Sequence, residues 1–290
     1  MATATGSNVG KGLGWGAFLS GFVPGLLQWT LGKKRLAAVA FLSCTIVYFA
    51  GWAIVGSRLF YWSLLTPDAT GSAAMRLLAR FGLGLGLPLP EILNLPANAL
   101  GGFLAWDDSP TGERLWRMPR DFEHIGGWLT AASGMLAAFW SAAGHWDLRL
   151  RRDTDGTAPA PIANPAVCAA LSWLVPGLGH VKAGQRDKGL LVGAAVVIVF
   201  ALGLLVSGGH AVDRAQASVW WMAQNVFGGG SLFASLVTAP LQRTGEPFDL
   251  QLGIVLCTVA GLMNLVVMVD AYSVAERSVF PLAKRTGAGA

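Results

Sequence analysis

Few side chains in this sequence could do chemistry, and most of them sit at the ends of long apolar runs. Asp270 closes the uncharged stretch 251–269, six positions after Asn264. At roughly 100° per helical residue the two lie about 240° apart around the axis, so they do not share a stripe. An acid inside a membrane helix reads as a proton or cation site by default. The blander reading has Asp270 at the interface, capping or pairing with Arg277 or a neighbouring loop, and it is the favoured one. His180 ends another apolar run beside Lys182 and Arg186. It suits a headgroup or metal ligand, but it has no second histidine at metal spacing. An interfacial residue that fixes a turn is the simpler reading. Asn225, next to Gln224 and the triplet Gly228-Gly229-Gly230, adds a polar group to a broken apolar segment.

Other chemistry is weaker. Ala131-Ala132-Ser133-Gly134 has the serine of an intramembrane protease but not the first glycine of G-x-S-G, and no A-H-x-x-G helix follows. Small residues of this kind let helices pack closely. The glycines at 10, 12, 14 and 16 follow no strand, so they do not read as a phosphate loop. Cys44, Cys168 and Cys257 lie singly in apolar runs, which argues against a zinc site or a disulfide framework. No metal, cofactor or catalytic residue is expected, and no enzyme.

Composition says where such residues must live. The chain is 53% hydrophobic and 13% charged, with a net charge of +5. Soluble domains carry about 25% charged residues, so the surface must face lipid. The cations form short clusters beside apolar runs, at 33–35, 149–152, 182–188 and 284–285. That placement fits headgroups and cytoplasmic loops rather than nucleic acid. Trp15, Trp29, Trp52, Trp62, Trp128, Trp140 and Trp146 fall mostly near span ends. They fit an aromatic belt, and Trp220-Trp221 would anchor an interfacial segment. The N-terminal region carries Lys11 alone and shows no clear cleavage site, so it reads as retained.

About 20 apolar residues cross a bilayer as a helix. Residues 36–56, 189–209, 251–269 and, richer in Ala and Gly, 125–144 meet that length. Runs 12–31 and 166–181 precede the first two, and each carries V-P-G-L, where a helix kinks or ends. Each pair is then a helical hairpin with a polar tip. Residues 81–106, with Pro88, Pro90, Glu91 and Pro96, and residues 218–241 read as broken or re-entrant. The expectation is an all-α bundle of six spans, or eight if both cross. Residues 147–165 are charged and Pro-rich and read as a linker between halves 1–146 and 166–290.

Those halves repeat. Aligned without gaps, 19–57 and 171–209 share 11 of 39 positions, including Pro24-Gly25 against Pro176-Gly177. Gly126 and Gly134 meet Gly253 and Gly261 at a second, shorter offset. A tandem duplication follows as an expectation. Charge alone does not decide whether the halves are inverted.

V-P-G-L-G-H at 175–180, followed by Gly184 and Lys188-Gly189, precedes A-G-L-M-N-L-V-V-M-V-D-A-Y at 260–272. With these motifs the second half resembles, over most of its length, a bacterial family of multi-spanning membrane proteins of unknown function. The first half departs, with Leu27-Gln28 in place of Gly-His and S-G-M-L-A-A-F-W in place of the Asn/Asp helix. The resemblance implies a membrane fold and no particular activity. The leading expectation is a non-catalytic scaffold or accessory subunit in the cell (inner) membrane. Its Gly/Ala faces would pack on a membrane partner or a second copy. The alternative is a small-solute or ion carrier with a pathway between the halves past Asn225, Asn264 and Asp270.

Overall fold

A computed structural model describes residues 16, 18–62, 89–104, 122–153, 162–214, 217–241 and 248–280, and every regular element among them is helical. The glycines at 10, 12 and 14, Trp15, residues 81–88 and the centre of the expected linker lie outside the described residues.

Helix α1 is Leu26–Thr30 and α2 is Lys34–Val55, which continues as a 3-10 turn over Gly56–Trp62. A 3-10 turn over Glu91–Asn94 leads into α3, Leu95–Leu104, and α4 is Glu123–Asp153. Helices α5, Pro165–Leu174, and α6, Leu178–Lys182, precede α7, Arg186–Val206. The chain closes with α8, Ser218–Asn225, α9, Gly228–Leu241, and α10, Leu250–Arg277.

Three of these, α2, α7 and α10, are long and apolar enough to cross a membrane. Their uncharged interiors explain both helicity and exposure. With no water to serve the backbone, a helix satisfies every internal amide itself, and side chains such as Ile46, Leu191 and Val266 point outward. The fourth expected span lies in α4, which is helical throughout and 31 residues long. It does not reach the apolarity of the other three, because glycine, serine, threonine and histidine dilute its apolar residues and its last turns are charged. That helix also runs to Asp153, so residues 147–153 of the expected linker are helical.

Among the described residues both ambiguous segments form only short helices. The 3-10 turn and α3 together cover 91–104, and α8 and α9 break at Val226-Phe227. None of these pieces is long enough to cross alone.

The long helices pair antiparallel through glycine. A side chain at Gly51 would strike the backbone of Gly126 and Thr130, and one at Gly203 would strike Cys257 and the Gly253 carbonyl. Further along, Trp140 Nε1 donates to Ser43 Oγ at 3.2 Å and Lys33 Nζ meets Asp147 at 2.7 Å. The second pair runs the same way, from Gly203–Gly253 to Lys188–Asp270. Arg149 and Glu276, near the C-terminal ends of α4 and α10, form an ion pair. Both hairpin tips therefore lie at one end of the bundle.

Tryptophan does more inside than a belt requires. Trp29 is exposed, but Trp128 and Trp146 are buried. Trp128 stacks on Trp173 with centroids 5.7 Å apart, and its Nε1 donates to the Gly228 carbonyl at 2.9 Å. This pair joins α4 to α5. At 220–221 only Trp220 is exposed; Trp221 lies buried beneath Arg214, whose guanidinium carbon sits 4.4 Å from the ring centroid.

Candidate functional site

The site begins with the Pro-Gly turn. Helix α5 stops at Val175 because Pro176 cannot donate to the ladder. Gly177 takes φ +81°, a left-handed conformation that L side chains resist. A Cβ there would also overlap the Gly189 carbonyl. The turn drops α6 against α7 and points His180 inward. The first hairpin repeats this geometry: Gly25 has φ +83° and presses on Ala37, the counterpart of Gly189. Hydrogen bonds repeat at the same offset: Lys33 N to Gln28 O at 2.9 Å matches Gln185 N to His180 O at 2.8 Å. Gly32 and Gly184 close both tips at φ +77° and +86°.

Gln28 and His180 occupy equivalent places and are both fully buried. Gln28 Nε2 donates to the Trp140 carbonyl at 2.6 Å. His180 Nε2 donates to Asp270 Oδ2 at 2.7 Å, and Lys188 Nζ meets the same oxygen. Asp270 thus clasps the hairpin, with His180 and Lys188 as its partners in place of Arg277. The histidine is 1% exposed and the carboxylate 34%, so the clasp runs from the interior toward the tip. His180 Nδ1 is buried without a partner. Two residues read separately in sequence are therefore brought into one contact.

Asn264 and Asn225 lie elsewhere. Asn264 faces the helix break, and its Nδ2 donates to the carbonyls of Ser172 at 3.1 Å and Val226 at 3.0 Å. It ties α5, the break and α10 together. Asn225 is fully buried. Its carbonyl accepts from Trp173 Nε1 at 3.0 Å, and its side-chain amide has no partner. The path expected past Asn225, Asn264 and Asp270 is thus two sites on different sides of α10, as their angular separation required.

Sequence reading missed the most buried charge. Glu91 is fully buried, and its Oε1 accepts from Arg214 Nη1 at 2.6 Å and from Thr130 Oγ1 at 2.8 Å. Arg214 is 4% exposed on its side chain and also donates to the Gly127 carbonyl at 3.1 Å. The pair links the segment before α3 to the loop after α7. Gly134 makes room for it by packing on the Pro90 carbonyl, as Gly261 packs on that of Ala223. The residues that follow, Glu91 and Gln224, are both fully buried. The sequence held one signal, because Glu91, Asn94 and Asn98 have helical spacing. Their polar stripe is buried against α2 and α4. Tyr48 OH donates to Asn98 Oδ1 at 3.2 Å. Ser133 is buried too and donates to the Thr130 carbonyl at 2.6 Å.

Among the described residues no group of three or more His, Cys, Asp or Glu could hold a metal ion. The three cysteines are buried and form no disulfide.

The fold defines a helical protein with, among the described residues, three helices long and apolar enough to cross a membrane. Residues 167–280 match the model of a family of unknown function (DUF6677). The matched stretch holds His180, Lys188, Asn225, Asn264 and Asp270, and leaves Glu91 outside. No curated protein and no solved structure matches the chain.

Proposed function

We propose that this is a multi-pass membrane protein of the cell (inner) membrane, built from two copies of one helical module and acting without catalysis. The module is a Pro-Gly hairpin, a long apolar helix, a broken segment and a closing helix. Support comes from matched backbone: Gly25 with Gly177, Gly32 with Gly184, Gly51–Gly126 with Gly203–Gly253, and Gly134 with Gly261. Arg149 and Glu276 are related by the same offset that takes Gly126 to Gly253, and they contact each other. Equivalent positions that touch are the mark of a two-fold relation, here between modules pointing the same way. The exposed cations Lys34, Arg35, Lys182, Arg186, Lys188 and Arg277 gather at the tip end. Positive residues of this kind favour the cytoplasmic side and its anionic headgroups. The bilayer is the partner these features address, with nucleic acid excluded from the reading.

Within that frame the protein holds or passes a small solute or ion between its modules. One observation carries this reading: the buried Glu91–Arg214 pair, one charge from each module. Desolvating two charges costs several kcal/mol per ion, and intramembrane ion pairs mark pathways. The scaffold reading relied on Gly/Ala faces left for a partner. At Gly51, Gly126, Gly134, Gly203, Gly253 and Gly261 those faces are filled by the chain's own backbone and side chains.

The experiment is reconstitution of the full chain and its Glu91→Gln variant into vesicles, with solute and ion flux recorded. Flux in the wild type that falls in the variant supports the carrier reading. Absence of any flux, with a stoichiometric partner co-purifying in mild detergent, returns the protein to the scaffold class.

A further inference from the structure

The stripe beside the ion pair is specific enough to name a ligand class, and the inference rests on the carrier reading above. Glu91, Asn94 and Asn98 are all fully buried. The three-residue step of a 3-10 helix brings Glu91 and Asn94 onto one side, and the α-helical step of four keeps Asn98 there. Four side-chain atoms of this stripe have no hydrogen-bond partner: Glu91 Oε2, Asn94 Oδ1, Asn94 Nδ2 and Asn98 Nδ2. Buried polar atoms are nearly always satisfied, and a cluster of exceptions asks for water or a ligand. Nearby, the Tyr48 ring and hydroxyl pack so closely on Gly101 that a Cβ there would strike them, which holds the hydroxyl against the stripe.

Charge decides what fits. Glu91 is neutralised by Arg214 at 2.6 Å, so the site has no net charge to offer an ion. Its open atoms are two acceptors and two amide donors. A cation would use the oxygens and strand both amide nitrogens; an anion would do the reverse. Stranding a buried donor or acceptor forfeits its full desolvation cost. A neutral molecule that both donates and accepts leaves nothing unpaired.

We propose that the Glu91–Asn94–Asn98 stripe binds and conducts a small uncharged hydrogen-bonding solute, one bearing hydroxyl or amide groups.

The test uses the full chain in vesicles of phosphatidylcholine and phosphatidylglycerol. Glycerol and urea entry is followed by light scattering, and K⁺ and Cl⁻ flux by ion-sensitive dyes. Variants Asn94→Leu and Asn98→Leu are compared with wild type, with a thermal melt of each in detergent. Wild-type protein is expected to admit glycerol or urea well above protein-free vesicles. Each leucine variant is expected to cut this at least about tenfold, because one solute partner is lost; Asn94→Leu should melt at or above the wild-type temperature, and Asn98→Leu, which leaves the Tyr48 hydroxyl without its acceptor, below it. Neutral entry that both leucine variants leave unchanged overturns the site. Ion flux without neutral flux overturns the ligand class and keeps the carrier reading. No flux of any kind overturns both. A leucine variant that fails to melt cooperatively is replaced by Asn94→Ser, which keeps one hydrogen-bonding group and is expected to lose a smaller fraction of entry.

Discussion

The two hairpins share a backbone and differ in what they bury. At the first tip Gln28 makes one neutral hydrogen bond to a helix carbonyl. At the second, His180 sits in the same place and draws in Asp270 and Lys188. By the same two offsets, the positions that would hold those partners in the first module are Ala143 and Leu36. At the helix breaks the contrast reverses: the first module buries the acid Glu91, and the second buries the amide Gln224. At these equivalent positions the first half thus meets a charged partner at its break and the second half at its tip. Glycine contacts fix the backbone, and side chains are then free to diverge wherever a counter-charge is at hand. Asp270 supplies it within the second module, and Arg214 supplies it across modules.

Topology breaks this comparison most cleanly. Lys34→Cys and Arg186→Cys stand at equivalent exposed positions, while Cys44, Cys168 and Cys257 are buried. A membrane-impermeant maleimide should label both new thiols from one side of the membrane. Labelling from opposite sides would mean inverted modules. Next come the turn glycines. Gly25→Ala and Gly177→Ala each force an alanine into left-handed backbone, about 1–2 kcal/mol. Each also pushes it onto a neighbouring carbonyl, which adds about 1–3 kcal/mol. Comparable losses of melting temperature in detergent are expected. A large loss at one turn only would separate the modules.

The clasp should show the asymmetry. Asp270→Ala leaves His180 buried with neither nitrogen paired, at a cost of about 1–3 kcal/mol. Gln28→Leu removes one neutral hydrogen bond in the first module and should cost about 1 kcal/mol. Equal effects in chemical denaturation would erase the distinction between tips. The smallest effect is expected for Lys33→Ala, which breaks a part-exposed ion pair with Asp147, about 0–1 kcal/mol. Its melting curve should overlay the wild type in about 0.5 M salt, where exposed pairs are screened to roughly 4–5 Å.

Much of this was legible in the residue order, because its causes are local. Uncharged runs of the right length must be helices wherever lipid surrounds them, so α2, α7 and α10 could be read directly. Pro24-Gly25 and Pro176-Gly177 announce their turns because proline lacks a donor and glycine tolerates positive φ. Even the separation of Asn264 from Asp270 follows from helical angle alone. The helical state of 147–153 is not legible in the pattern, because α4 continues past the apolar run on charged side chains, which propensity alone does not stop. The burial of Trp128 and Trp146 is not legible either, because position along a span says nothing about which side of the helix faces lipid.

What the sequence determined, then, is each segment's own conformation: which stretches are helices, where they break, and which glycines recur. Only the tertiary structure decided the partners. His180 and Asp270 are 90 residues apart, and Glu91 and Arg214 are 123 apart. No local rule links such pairs, because a buried charge depends on whatever the fold brings within about 3 Å of it. Helix formation is set by neighbours in the chain; the pairing of charges is set by neighbours in space.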